Sequence, residues 1–217
     1  MNGIKLAYRT AGEGPPLVLL HGRTDSGLTW APFVVHFARR FQVIRPDLRG
    51  HGKSPYPGSY ALPDMAEDVA RLLDDLGVER AAVIGHSLGG MVAYHLAMLH
   101  PSRVSRMVLE DPPPPLPIIR AAPEVDPGDP QAEMLLDTER QFAAPDPAWA
   151  EGLGRVTVPT MVLYGGPSTH VPADRTAALI PGAKLVTIDV GHLIHADAPQ
   201  EFLAAVDDFL QDPLEDV

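Results

Sequence analysis

Six short runs of apolar residues, separated by segments of helical period, constrain the fold of this chain more than any other feature. Residues 17–20 read Leu-Val-Leu-Leu, and runs of the same kind recur at residues 42–44, 81–84, 107–109, 160–163 and 185–188. A strand with one wet face alternates apolar and polar residues, whereas a strand apolar at every position is covered on both faces, as in parallel sheets. The intervening segments carry stripes spaced three and four apart. Trp30, Phe33, Val34, Phe37, Ala38 and Phe41 form one, Met65, Val69, Leu72, Leu73 and Leu76 another, and Phe202, Leu203, Val206, Phe209 and Leu210 the last. Strands alternating with helices of this length predict the α/β class: a doubly wound, mostly parallel sheet with helices on both faces. Ligands of such sheets bind beyond the carboxyl ends of the strands, so chemistry is expected there.

Smaller signals refine this picture. Residues 4–9 alternate as a half-buried edge strand does, and Gly12, Gly14 and Pro15 then turn the chain. Pro101 stops a helix ending at His100, and Pro199 suits the first turn of the final helix. The length of 217 residues fits a single domain over 1–217. One excursion, about 112–153, breaks the alternation: Pro112 to Pro115 are consecutive, and only residues 131–142 have helical character. Proline cannot donate to a strand ladder, so this stretch is expected to form a short Pro-rich lid, docked through Met134, Leu135 and Phe142.

Composition excludes several classes. A formal net charge of -11 argues against nucleic-acid binding, which needs clustered Lys and Arg. The start, Met1 to Lys5, lacks the features of a signal peptide, and no apolar stretch is long enough to span a bilayer, so a cytoplasmic protein without membrane contact is expected. Cysteine is absent, which removes disulfides, thiolate metal sites and a cysteine nucleophile. No metal or organic cofactor is implied.

The sequence Gly85-His86-Ser87-Leu88-Gly89 lies between the apolar run 81–84 and an apolar helix bearing Met91, Val92, Leu96 and Ala97. G-x-S-x-G between a strand and a helix is the pattern of a nucleophile elbow, in which a strained turn pushes the serine hydroxyl out at the strand end. The same turn places the Leu88 N–H, at a helix start, beside a reacting carbonyl. His86 is too close in sequence to reach Ser87 and is read as packing or positioning.

With the elbow stand His21-Gly22 after the first buried strand, the segment from Asp47 to Ser54 after the next, and Gly191-His192 after the last. Together these resemble the α/β-hydrolase superfamily over nearly the whole chain. The resemblance implies that Arg23, after His-Gly, supplies the second oxyanion-hole N–H. Its side chain is expected either to meet an anionic part of the substrate or to be a solvated surface arginine. It also implies that Asp47 and His51 brace the site, and that Gly22, Trp149 and Leu193 contact substrate.

A serine hydroxyl needs a neutral imidazole to take its proton, and nine histidines are available. The family order of nucleophile, acid and histidine selects His192; His195 lies just beyond it. In most relatives the acid follows the strand at 160–163, where this chain has Ser168 in the aspartate position. A hydroxyl cannot offset the charge of an imidazolium, so a carboxylate from elsewhere is needed. Some members, including the haloalkane dehalogenases, carry the acid one strand earlier, where this chain has Glu110-Asp111. Asp111 aligns best, with Glu110 as the alternative, and neighbouring strand ends about 5 Å apart let either loop reach one imidazole.

A serine rather than an aspartate at the elbow disfavours dehalogenase and epoxide-hydrolase chemistry. The resemblance then implies hydrolysis of a small, largely apolar carboxylic ester or lactone through an acyl-enzyme. Rival readings are a perhydrolase or cofactor-free haloperoxidase, a carbon–carbon bond hydrolase, a small-molecule receptor with weak hydrolase activity, and a non-catalytic binding module.

Overall fold

A computed structural model describes residues 4–119, 121, 123–126 and 128–211. Met1 to Gly3, whose sequence was read above for a targeting signal, lie outside the described residues, as do three positions of the 112–153 excursion and the C-terminal residues 212–217.

Seven strands form one sheet: β1 (Tyr8–Ala11), β2 (Pro16–Leu20), β3 (Gln42–Pro46), β4 (Ala81–His86), β5 (Val104–Glu110), β6 (Thr160–Tyr164) and β7 (Lys184–Thr187). Their spatial order is β1-β3-β2-β4-β5-β6-β7. Only β1 is antiparallel to its neighbour; every other pairing is parallel. The helices are α1 (Val34–Phe37), α2 (Leu62–Asp75), α3 (Leu88–Leu99), α4 (Ala132–Ala143), α5 (Pro147–Leu153), α6 (Ala173–Leu179), α7 (Ile194–Asp197) and α8 (Pro199–Gln211). Among the described residues no helix is long and apolar enough to cross a membrane.

The apolar runs divide between the two faces residue by residue. Val18, Leu20, Val83, Met107, Leu109 and Val162 join one core, with the buried faces of α2, α3 and α6. Leu17, Leu19, Ala82, Ile84, Val108, Met161 and Leu163 join the other, with Trp30, Phe33, Phe37, Phe202, Val206 and Phe209. Side chains alternate across a strand, so an unbroken apolar run is what two covered faces require.

Several boundaries differ from the sequence reading. The first strand runs from Tyr8 to Ala11 rather than over 4–9, because the register that pairs Tyr8 with Pro46 continues to Ala11 opposite Val43. The stripe from Trp30 to Phe41 is not one helix but a single 3-10 turn, Ala31–Phe33, followed by the four-residue α1. Neither piece has a side-chain cap. Burial of Trp30, Phe33 and Phe37 rather than helix length holds this segment. β7 starts and ends one residue earlier than read, and its side chains are mostly exposed, as suits a sheet edge.

Between β5 and β6 the chain leaves the sheet. Pro112 to Pro115 are buried rather than draped over the surface, and α4 follows with Met134, Thr138 and Phe142 turned inward. Polar contacts pin α4 to residues 60–62: the Tyr60 N–H donates to Asp137 at 3.1 Å and the Leu62 N–H to Gln141 Oε1 at 2.9 Å.

Candidate active site

Ser87 joins β4 to α3 at φ 51°, ψ -113°, a backbone region that L-residues rarely occupy. The turn is this sharp because two glycines let its walls touch. A Cβ at Gly85 would lie 2.3 Å from the Gly89 carbonyl oxygen, and one at Gly89 would lie 2.4 Å from that of Leu20. The Ser87 N–H donates to the Glu110 carbonyl at 2.8 Å, which ties the strained turn to β5. Of residues 81–97, Ser87 alone escapes burial. Leu88 opens α3, whose first-turn amides have no acceptor within the helix.

The next strand end delivers a carboxylate. Asp111 follows β5 at φ 44°, and its fully buried carboxylate is 2.7 Å from His192 Nδ1. Its other contacts come from the loop after β6: the Gly165 N–H donates to Oδ1 at 3.0 Å and the Thr169 hydroxyl to Oδ2 at 2.5 Å. A buried carboxylate needs donors on both oxygens, and here it has them. The loop in which most relatives place the acid therefore supplies donors to an acid that enters from β5. Ser168 is exposed, and its N–H is 3.4 Å from Asp189.

Glu110 holds a different histidine. Its carboxylate accepts from the His195 N–H at 2.8 Å and lies 2.8 and 2.9 Å from His195 Nδ1. The reading of Glu110 as an alternative partner of His192 is therefore not the arrangement found. Successive residues at a strand end face opposite ways. Burial opposes the charge on His195, but the hydrogen bond and charge of Glu110 prevail and raise its pKa.

Ser87, His192, Gly22, Arg23 and Leu193 all border one cavity of about 670 Å³, which Phe142 of α4 also lines. Trp149 does not. It lies on α5, edge-on to His95 at a ring separation of 4.7 Å, and borders a separate cavity behind α3. Position within the excursion said nothing about which side of α3 the residue would meet.

Loop 22–27 is braced from below. His21 Nδ1 donates to the Gly22 carbonyl at 2.8 Å, and Nε2 accepts the Leu48 N–H at 3.0 Å. Burial pushes the His21 pKa down to about 4, which keeps it neutral. Asp47 accepts the Gly27 N–H at 2.8 Å and the Lys53 N–H at 3.0 Å, and His51 Nδ1 donates to the Arg49 carbonyl. The Arg23 side chain borders the cavity and is partly exposed, but it is not a lone cation there. It pairs with Glu139 of α4 at 2.9 Å and lies 5.2 Å from the Phe142 ring centre.

His86 packs beneath the site. Its Nε2 donates to the His192 carbonyl at 3.0 Å, and burial drives its pKa down to about 4. A Cβ at position 22 would lie 2.6 Å from His86 Nδ1, so only glycine fits there. Sequence reasoning missed the Glu110–His195 and Arg23–Glu139 pairs and the part played by Thr169. The first had a faint signal, two adjacent acids at one strand end and two histidines three apart in one loop.

The comparisons with known proteins agree with this fold. A family model described as the α/β-hydrolase fold matches residues 15–148. The crystal structure of a hydrolase from Pseudomonas aeruginosa PA01 superposes with a TM-score of 0.81 at 30% identity, over 97% of this chain and 96% of that one. A soluble epoxide hydrolase of Corynebacterium sp. is 42% identical over 112 residues, 51% of this chain and 39% of the relative. A pimeloyl-[acyl-carrier protein] methyl ester esterase of Aeromonas hydrophila is 43% identical over 99 residues, 45% of this chain and 37% of the relative. The matched stretches cover between 32% and 39% of the first curated relatives' own length. Family match, structural similarity and sheet order coincide: the chain belongs to the α/β-hydrolase fold family.

Proposed function

We propose that the protein is a serine hydrolase that cleaves a small, largely apolar carboxylic ester or lactone through an acyl-enzyme. The observation that carries this reading is the buried Asp111 bonded to Nδ1 of His192, with Ser87 at positive φ on the same cavity wall. With Nδ1–H committed to Asp111, Nε2 is the free basic nitrogen of a neutral imidazole.

His192 takes the Ser87 proton as the hydroxyl oxygen attacks the substrate carbonyl. The tetrahedral oxyanion is held by the Arg23 and Leu88 backbone N–H groups. Collapse expels the alcohol, which takes the proton from His192. Water then repeats the sequence on the acyl-enzyme and releases the acid. In a lactone the alcohol and acid are two ends of one product.

The elbow residue separates this reading from that of the epoxide-hydrolase relative. Serine attack on an epoxide carbon would form an ether, which this machinery cannot hydrolyse, whereas attack on a carbonyl forms a hydrolysable ester. The cavity volume is within the range of small-molecule sites, and Leu135, Phe142 and Val171 give it an apolar wall. The methyl ester esterase relative is consistent with the same bond class.

The test is a series of p-nitrophenyl esters of increasing acyl length, together with labelling by a fluorophosphonate. Turnover of short esters and modification at Ser87 are expected. An unlabelled Ser87 and no ester or lactone turnover would remove this reading in favour of a binding module.

A further inference from the structure

We propose that Glu110 and His195 are positioning residues: a buried pair that fixes the loop carrying His192, and so the aim of the candidate base. The inference goes beyond the proposed reaction, and its role in turnover rests on that reading.

The two histidines lie three residues apart, on either side of the start of α7, so whatever fixes one constrains the other. His195 is fixed on every side. The Glu110 carboxylate accepts both its backbone N–H and its Nδ1–H. Nε2 lies 3.2 Å from the Thr29 hydroxyl. The ring packs on Trp30 at 4.6 Å between centres, with Phe33 and Phe202 at its edges. Glu110 and His195 are 0% and 2% exposed, so neither faces the cavity nor is placed to touch substrate.

Glu110 also serves the nucleophile, because its carbonyl accepts the Ser87 N–H. One residue therefore grips the elbow by its backbone and the histidine loop by its side chain. Glu110 and Asp111 are consecutive, so the acid bonded to His192 and the clamp on His195 move together. Other anchors hold the backbone on either side of His192: Ile194 is buried in the core and the Gly191 N–H donates to the Gly165 carbonyl at 2.9 Å, whereas Leu193 and Ala196 are exposed. On His192 itself, besides Asp111, bear the His86 bond to its carbonyl and the rings of His86 and His170, each 4.8 Å away between centres. Without the clamp, His192 would turn about the His86 bond, and a displacement of ~1 Å costs about a hundredfold in rate.

The readout is the proton NMR signal of His192 Nδ1–H, far downfield when bonded to a buried carboxylate, measured beside kcat and KM for p-nitrophenyl acetate. In His195→Ala the signal should be lost and kcat should fall about a hundredfold with KM nearly unchanged. His195→Asn, whose amide N–H can replace Nδ1–H toward Glu110, should restore both. If His195→Ala does not fold, the double variant Glu110→Leu with His195→Phe takes its place, since it leaves no unpaired charge in the core. It should show the same losses.

A folded variant lacking the pair that keeps the His192 signal and wild-type kcat would overturn the proposal. The NMR arm needs no turnover. A protein inert toward esters whose His192 signal still depends on His195 would refute the reaction and keep the positioning role.

Discussion

Asp111–His192 and Glu110–His195 are two nearly identical pairs with different surroundings. Their donor–acceptor distances are 2.7 Å and 2.8 Å, both carboxylates are fully buried, and the partners come from the same strand end and the same loop. His192, however, borders the cavity with Ser87, whereas His195 is sealed under Trp30 with its second nitrogen against Thr29. A carboxylate–imidazole bond is therefore not in itself a catalytic device. What the far nitrogen faces decides whether the pair can move a proton or only hold a shape.

The largest effects should fall on the open pair. Ser87→Ala should lower ester turnover by about a millionfold while the melting temperature stays within a few degrees. His192→Ala should be comparably damaging, and the double variant hardly worse, because the two act as a unit. Additive losses in kcat would break their partnership. Asp111→Asn should slow turnover by up to about ten-thousandfold, since an amide can hold the imidazole in the wrong tautomer. A small effect on kcat would transfer the acid's role elsewhere.

The sealed pair, whose loss should lower kcat about a hundredfold, should respond in stability as well. Glu110→Ala leaves His195 buried without its counter-charge and should cost about 3 to 5 kcal/mol, read by urea denaturation. Acid should sharpen the contrast. His21, His86 and His95 have pKa values pushed down by burial to about 4, so between pH 6.5 and about 4 the unfolded chain binds more protons than the folded one. Each group then removes up to about 1.4 kcal/mol of stability per pH unit as the pH falls through that window. His195 has the opposite sign: its pKa is raised in the folded chain, so its contribution is complete below the ordinary histidine range and is lost as the pH rises through the folded value. Glu110, whose pKa is lowered, adds stability above the ordinary carboxylate range that is lost as the pH falls through its folded value. Thermal melts from pH 4 to 9 should show stability falling on the acid side, and replacing His195 should flatten the alkaline side and also reduce the acid-side contribution of Glu110, whose carboxyl His195 helps to hold down.

The smallest effect belongs to the position where most relatives carry the acid. Ser168→Ala should change kcat less than about twofold, because Ser168 is exposed and it is its backbone N–H that faces a carboxylate, that of Asp189. A tenfold loss would return that loop to the centre of the mechanism.

The sheet was legible because residues 17–20, 81–84 and 107–109 carry no polar residue to confuse their burial. The elbow was legible because its glycines are demanded by contact distances that no other residue meets. Asp111 could be found by asking where charge must come from once position 168 lacks it. The clamp was harder to find, since Glu110 and His195 are 85 positions apart and the doubled acids and doubled histidines do not say which acid meets which histidine. The stripe from Trp30 to Phe41 misled for a related reason: periodicity reports which residues are buried, not whether the backbone between them is one helix.

The Arg23 side chain gives the excursion between β5 and β6 a mechanical meaning. One residue belongs to two bodies, its amide to the loop beneath the cavity and its guanidinium to Glu139 and Phe142 above it. Lifting α4 off its seat must either break that ion pair or drag residue 23 along. The position of α4 and the position of residue 23, the proposed oxyanion donor, are thus tied by one side chain that spans the cavity's floor and roof.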